Sequence, residues 1–435
     1  NYCSNLLDLY KNISSPKSPN NIDLLCIDVN TILHYICNKS NNNIDFKKNL
    51  LKEFNKIIKK INPKNLALFT DGQAPLAKAK LQIKRRQKYL YDKQSGISTL
   101  NLTPGTIFMD FVDDIIYNYL KTLSINTYYS SSKDNNEGEL KLFYYINKKK
   151  FYDNKICIVG DDSDIIVLSL FNSSLLNLHI YNNHKFISLF KLVQNLANLT
   201  ELQFNFKYHP VRKDFALLSL FLGNDYNKNI TNFKNLLNAY KIVLGKKNGF
   251  LLNINGHLNL KNLKILLENL PNEINCNLHS NIDVKNYFNC IIWNLKLYNN
   301  VTIPNFIPKY SINVKTILKY FPEKLVIEKI KPKWLNKDVY LLLLMPITGK
   351  ELIPKHLQKH MEHDSIIKDL FPEPCDICIG FKNKINQLNL DSKTEENELK
   401  TLLSETNQKY RIHLNTFHPD NDLQIDRIKS ALNCI

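Results

Sequence analysis

Three short apolar runs in this chain each hand over to aspartate. Residues 24–27 lead into Asp28, residues 66–70 into Asp71, and residues 156–160 into Asp161, Asp162, Ser163 and Asp164. Glu137 and Glu139 flank Gly138 at the opening of an amphipathic stretch, and Asp225 follows the apolar residues 215–222. A single aspartate after a strand is ordinarily a helix cap or a turn residue. Repetition is what points to chemistry. Seven carboxylates, those of Asp28, Asp71, Glu137, Glu139, Asp162, Asp164 and Asp225, would repel one another if gathered without cations. Such a set suits hard divalent ions, Mg²⁺ above all, which take carboxylate oxygens and keep waters. Two ions ~4 Å apart can activate a water and stabilise a leaving oxygen in phosphodiester hydrolysis. The neighbouring Asp161 and Asp214 read as caps or solvated residues.

A second group follows Asp71 directly. From Lys78 the offsets to Gln82, Arg85 and Arg86 are 4, 7 and 8, which predicts one face of a helix opened by Pro75. An ammonium, an amide and two guanidiniums on one stripe make a receptor for a terminal phosphate. His34 lies on the helix expected after residue 28, where its ring can stack on a base. Cys375, Cys378, His413 and His418 are zinc-ligand types, but the two pairs are roughly three dozen residues apart, and two buried thiols are the plainer reading. Trp293 and Trp334 read as core residues.

The elements that must position these groups follow from hydrophobic periodicity. The runs at 24–27, 66–69 and 156–159 are too short for helices and read as buried strands. Between them lie amphipathic stretches at 43–61, 74–91, 105–120 and 137–149. That alternation predicts an α/β fold with a mainly parallel central sheet flanked by helices. Ligands of such sheets gather beyond the carboxyl ends of the strands, where the acids fall. After about residue 228 the pattern turns mostly helical, at 232–244, 259–270 and 284–297. Two domains are therefore expected, 1–229 as the core and 230–435 as a helical C-terminal region.

Composition sets the outer bounds. Of 435 residues, 58 are Lys or Arg and 40 are Asp or Glu, a net charge of +18, which favours a polyanionic partner. Hydrophobic residues make up 44 %, enough to exclude a largely disordered chain. No run approaches the ~20 apolar residues of a membrane span; residues 339–347, interrupted by Pro346, read as a buried segment. The first residues lack a secretory succession, and nine scattered cysteines suit a reducing, intracellular setting.

Taken in order, Asp28-Val-Asn-Thr-Ile-Leu-His34, Asp71-Gly-Gln-Ala-Pro75 with Lys78, Gln82, Arg85 and Arg86, Thr103-Pro-Gly-Thr-Ile-Phe-Met109, Glu137-Gly-Glu139, Gly160-Asp-Asp162-Ser-Asp164 and Leu222-Gly-Asn-Asp225 resemble the Xrn family of 5′→3′ exoribonucleases. The resemblance implies a PIN/FEN-like nuclease core followed by a helical region that encloses the site. It implies two Mg²⁺ ions, replaceable by Mn²⁺, on the seven acids. Lys78, Gln82, Arg85 and Arg86 would hold the 5′-monophosphate of single-stranded RNA, and His34 would stack on the first base. Nucleoside 5′-monophosphates would be released processively or semi-processively by a monomer engaged in RNA decay.

Departures from the family pattern carry expectations too. The compact stretch between Arg86 and Thr103 implies a reduced helical tower, and residues 381–390 hold no tryptophan to oppose His34. The family pattern places Cys375 and Cys378 in a strand-like segment. The zinc-knuckle insertion of the nuclear branch is missing, which leans towards the cytoplasm. Two other readings use similar residues. A flap endonuclease would follow its last aspartate with a glycine-bearing turn, yet no glycine lies between Asp225 and Gly245. A non-catalytic RNA-binding derivative would have lost ligands, yet all seven positions carry acid.

Overall fold

A computed structural model describes residues 13–88, 97–172, 175, 177–198, 211–227, 229–246, 249–253, 255–271, 281–308, 313–325, 331–390, 396–417 and 422–433. The chain forms two compact units, Asn1–Lys78 with Val112–Trp334, and Ala79–Phe111 with Leu335–Ile435.

The first unit is built on one sheet of seven strands: β1 (Ser14–Ser15), β2 (Leu24–Asp28), β3 (Asn65–Phe69), β4 (Asn126–Ser130), β5 (Ile156–Val159), β6 (Leu178–Asn182) and β7 (Lys185–Ser188). The order is β1-β7-β6-β5-β2-β3-β4. β2 lies at the centre and pairs in parallel with β3 and β5, β4 and β6 extend the parallel part, and β7 pairs antiparallel with both β6 and β1. Leu-Leu-Cys-Ile-Asp in β2 and Ile-Cys-Ile-Val in β5 are buried at every position, as strands covered on both faces must be. The expected strands are all present.

Most of the helices follow their sequence signals closely. Asn43–Ile61 is capped by Asn42, whose side chain accepts from the amides of Ile44 and Asp45, and it ends on a left-handed Asn62. Its buried Phe46, Leu50, Phe54, Ile57 and Ile61 recur at helical spacing. The stretch read as 74–91 differs. It begins as a 3₁₀ turn, Leu76–Lys78, and only then becomes an α-helix, Ala79–Gln87; residues 89–91 lie outside the described ones, as does most of the stretch where the tower was expected.

The core of the first unit does not stop at residue 229. Leu236, Tyr240, Leu263, Tyr287 and Trp293 share it with Leu24, Cys26 and Ile158 of the strands. The division between the compact units therefore does not coincide with the 229/230 boundary read from composition. Asp214 belongs to this core as well. It is fully buried, and its carboxylate accepts from the Tyr240 hydroxyl and from the amides of Leu251 and Leu252, each at 2.8 Å. The expectation of a cap or solvated residue is thus corrected: Asp214 pins the 251–252 backbone to the helix Val211–Phe221.

The second unit has a smaller core of Val339, Leu341, Leu342, Met345, Ile353, Leu357, Phe371 and Ile428. The buried segment read at 339–347 is a helix, Lys337–Leu344, followed by a 3₁₀ turn from Ile347. Helices Asp376–Leu390 and Glu396–Phe417 pack on each other within this unit. Cys375 and Cys378 are therefore not strand-like: the Cys375 carbonyl accepts the Ile379 amide at 3.0 Å and opens the first turn of a helix. Among the described residues, no helix is long and apolar enough to cross a membrane.

Candidate active site

The strand register brings three carboxyl ends level. Asp28 sits opposite Phe69, Ile27 opposite Val159, and Phe69 opposite Ser130. Helices start beyond these ends, directly at Val29 and after short loops at Gly138 and Ser163, and helix N-termini favour acids. Asp28 is both cap and cluster member. Its Oδ1 accepts from the Asn30 amide and its Oδ2 from the Thr31 hydroxyl, each at 3.2 Å. Asn30 in turn accepts the Asp71 amide at 2.9 Å, which ties the loop after β3 to the helix after β2. Asp162 caps its own helix by accepting the Asp164 amide at 2.9 Å.

Glu137 occupies the cap position of the helix Gly138–Lys149 but makes no cap bond. The helix is capped from elsewhere, because Asp71 Oδ1 accepts the Gly138 amide at 2.6 Å. Glycine is required there by proximity. A Cβ on residue 138 would sit 2.9 Å from Asp28 Oδ1 and 3.2 Å from Asp71 Oδ1. Released from capping, Glu137 accepts from the Tyr226 hydroxyl at 2.7 Å and pairs with the Lys78 ammonium. Lys78 also reaches Asp225 Oδ2 at 2.8 Å. All seven acids of the sequence reading thus join one electrostatic neighbourhood within the first unit.

The cost of that gathering is visible in the acidities. Burial, then Asp71 and Asp162, hold the Asp28 carboxyl well above the usual range. Burial raises Asp71 too, although the Gly138 amide and Lys78 pull against it. Glu139 is raised well up by burial, Glu137 and Asp71; Asp164 is pushed to about 7 by burial and by Asp162. Burial opposes the charge on Lys78, yet Glu137 and its neighbours outweigh it and lift the ammonium well above its usual value. Lys78 and the buried Lys141, which also acts on Asp71, cannot neutralise seven acids. Among the described residues no lysine or arginine pairs ionically with Asp28, Asp71, Glu139, Asp162 or Asp164. Hard oxygen donors in excess of cations fit divalent ions of the Mg²⁺ class.

The other half of the sequence reading is only partly assembled. Lys78 closes the 3₁₀ turn Leu76–Lys78, where it is buried and engaged by Glu137 and Asp225. Gln82, Arg85 and Arg86 belong to the second unit. There Arg86 Nη1 donates to the Gln82 side chain and Nε donates to Thr103 Oγ1 at 2.8 Å, while Arg85 is exposed. His34 is exposed on the helix Val29–Cys37. Trp293 is core, stacked on Phe306 and edge-on to Tyr226. Four contributors were not singled out from the sequence: Asn30, Thr31, Tyr226 and the role of Gly138. Tyr226 had one available signal, its place directly after the last acid.

The comparisons with known proteins bear on this arrangement. The family described as XRN 5′-3′ exonuclease N-terminus matches residues 1–101 and 91–182, the span that supplies every acid but Asp225. The chain is 26 % identical over 411 residues to 5′-3′ exoribonuclease 1 of Saccharomyces cerevisiae, covering 78 % of this chain and 26 % of that protein. Over residues 1–182 the chain resembles the XRN family. A second XRN relative, 5′-3′ exoribonuclease 1 of Schizosaccharomyces pombe, is 26 % identical over 316 residues, covering 58 % of this chain and 24 % of that protein. The chain spans about a quarter of the length of these two XRN relatives. Among solved structures, the bacteriophage T5 D15 flap endonuclease with DNA and metal ions aligns with a TM-score of 0.32 at 11 % identity, covering 57 % of this chain and 87 % of that one. The catalytic core of Rad2 with a DNA substrate gives 0.36 at 15 %, covering 70 % and 89 %.

Proposed function

We propose that this chain is an XRN-type 5′→3′ exoribonuclease that hydrolyses single-stranded RNA bearing a 5′-monophosphate and releases nucleoside 5′-monophosphates. The observation that carries this reading is the convergence of seven acids and Lys78 at the ends of parallel strands. Two divalent ions bound to Asp28, Asp71, Glu137, Glu139, Asp162, Asp164 and Asp225 would supply an activated water and charge stabilisation at the leaving oxygen. The chain's own residues do the positioning. Lys78 holds Glu137 and Asp225 in a fixed relation, Tyr226 orients the second oxygen of Glu137, and the Gly138 amide fixes Asp71. Burial of these groups keeps bulk water from screening the field they create.

The guanidiniums of Arg85 and Arg86 and the Gln82 amide are the groups assigned to the terminal phosphate, with the Lys78 ammonium the less available of the four because acids already claim it. His34 is assigned to the first base. A time course on end-labelled RNA carrying 5′-monophosphate, 5′-hydroxyl or 5′-triphosphate ends, with Mg²⁺ or EDTA, tests this. Mononucleotides appearing from the monophosphate end, only with the metal, are the expected result. Internal fragments from all three substrates would make the enzyme an endonuclease, and unchanged RNA in every lane would make it a binding protein.

A further inference from the structure

Far along the chain from the acids, the second unit brings together three groups that no part of the nuclease reading uses. We propose that Cys375, Cys378 and His413 bind one zinc ion that staples helix Asp376–Leu390 to helix Glu396–Phe417. One ligand atom from each of the three lies within 4.8 Å of the others, and Cys375 Sγ is 3.5 Å from His413 Nε2. In a tetrahedral site with Zn–S of about 2.3 Å and Zn–N of about 2.0 Å, ligand atoms sit about 3.5–3.8 Å apart. The three donors are therefore within about 1 Å of metal-binding spacing.

The local structure explains how the site forms. Cys375 stands at the cap of its helix, with its carbonyl on the Ile379 amide. Cys378, three residues on, falls on the same face. Both cysteines lie at the start of the helix. His413 approaches from the facing helix. Phe381 lies against it, with ring centroids 6.2 Å apart, and against Tyr410 at 5.7 Å.

The helix pair also needs such a staple. In these two helices, among the described residues, the buried side chains are Cys378 and Thr406 alone. Two helices without a buried apolar seam gain little from burial, whereas a structural zinc contributes folding free energy directly. Three protein donors leave one tetrahedral position for water. His418 lies outside the described residues and is not part of the assignment. The plainer reading of two buried thiols is set aside on geometry: Cys375 is only half-buried and contacts an imidazole.

The test is elemental analysis of the whole protein purified without added metal under reducing conditions. One zinc per chain is expected, with well under half an equivalent in Cys375→Ser and in His413→Ala. Cobalt added to the stripped wild-type chain should give sulfur-to-metal charge-transfer bands and tetrahedral d–d bands, a reading that depends on no variant folding. A zinc-selective chelator in excess Mg²⁺ should lower the melting temperature of the wild type and leave that of His413→Ala unmoved. Absence of zinc together with a featureless cobalt spectrum would overturn the proposal. So would full zinc retention in both variants, or a mass two hydrogens light that reports a Cys375–Cys378 disulfide.

Discussion

The acid edge of the first unit and the cationic helix of the second are built to different standards. Most of the carboxylates at the sheet edge are fixed at the side chain by a named donor. Asp28 has the Asn30 amide and the Thr31 hydroxyl, Asp71 has the Gly138 amide, and Glu137 has Tyr226 and Lys78. The helix Ala79–Gln87 buries only Ala79, and its Arg86 is held by Gln82 and Thr103 alone among the partners described above. The lesson is about what each task demands. Binding ions between repelling acids requires oxygens that cannot move apart, whereas grasping a phosphate requires long cationic arms that can follow it.

Substitutions separate the two standards, and the largest effect belongs to the rigid side. Asp71→Ala or Asp162→Ala should lower turnover by about 10³-fold or more while RNA retention on a filter persists, because ligands vanish and the net positive charge does not. Near-normal turnover of either variant would remove the metal assignment. Next comes Lys78→Met, which leaves Glu137 buried without its ammonium. Unfolding in urea with EDTA should show a loss of about 3 kcal/mol, smaller when Mg²⁺ is present. Equal losses with and without Mg²⁺ would mean that Lys78 and the ions do not share these acids.

Asp214→Asn should cost about 2 kcal/mol in the same assay, since three donors then face an amide that can accept at one oxygen only. Its pH dependence has a definite sign. Burial raises the folded pKa from 3.8 to about 7, so the folded state holds this proton more tightly than the unfolded chain. The corresponding stability is present in acid and lost as pH rises from about 4 to about 7. The variant should lack that slope; an unchanged pH profile would show that the carboxyl does not titrate there. The smallest effect falls on the cationic helix. Arg86→Ala should reduce the preference for a 5′-monophosphate over a 5′-hydroxyl by about tenfold. Equal slowing on both substrates would make the helix a general RNA contact.

Much of this was legible in the residues themselves. A strand of Leu-Leu-Cys-Ile ending in aspartate signals both its burial and its polar end, and three such signals sufficed to place four of the seven acids near one edge. The acid partners of Lys78, Glu137 and Asp225, were not legible, and the chain winds there as a 3₁₀ turn closed by the Lys78 amide on the Pro75 carbonyl at 2.9 Å. Asp214 in a first turn looks like a cap from sequence; the partners that bury it, Tyr240, Leu251 and Leu252, are 26 to 38 residues away. His413 meets Cys375 across 38 residues. Contacts of that range are set by tertiary packing, which local periodicity does not encode.

The buried ammonium of Lys78 has a consequence for the order in which this protein is made. A newly synthesised chain must close its sheet edge before any pair of ions can find the geometry that retains them. With Glu137 and Asp225 already matched to a tethered cation, that closure proceeds on internal counter-charge. Divalent ions of the kind proposed above would then enter an edge already closed.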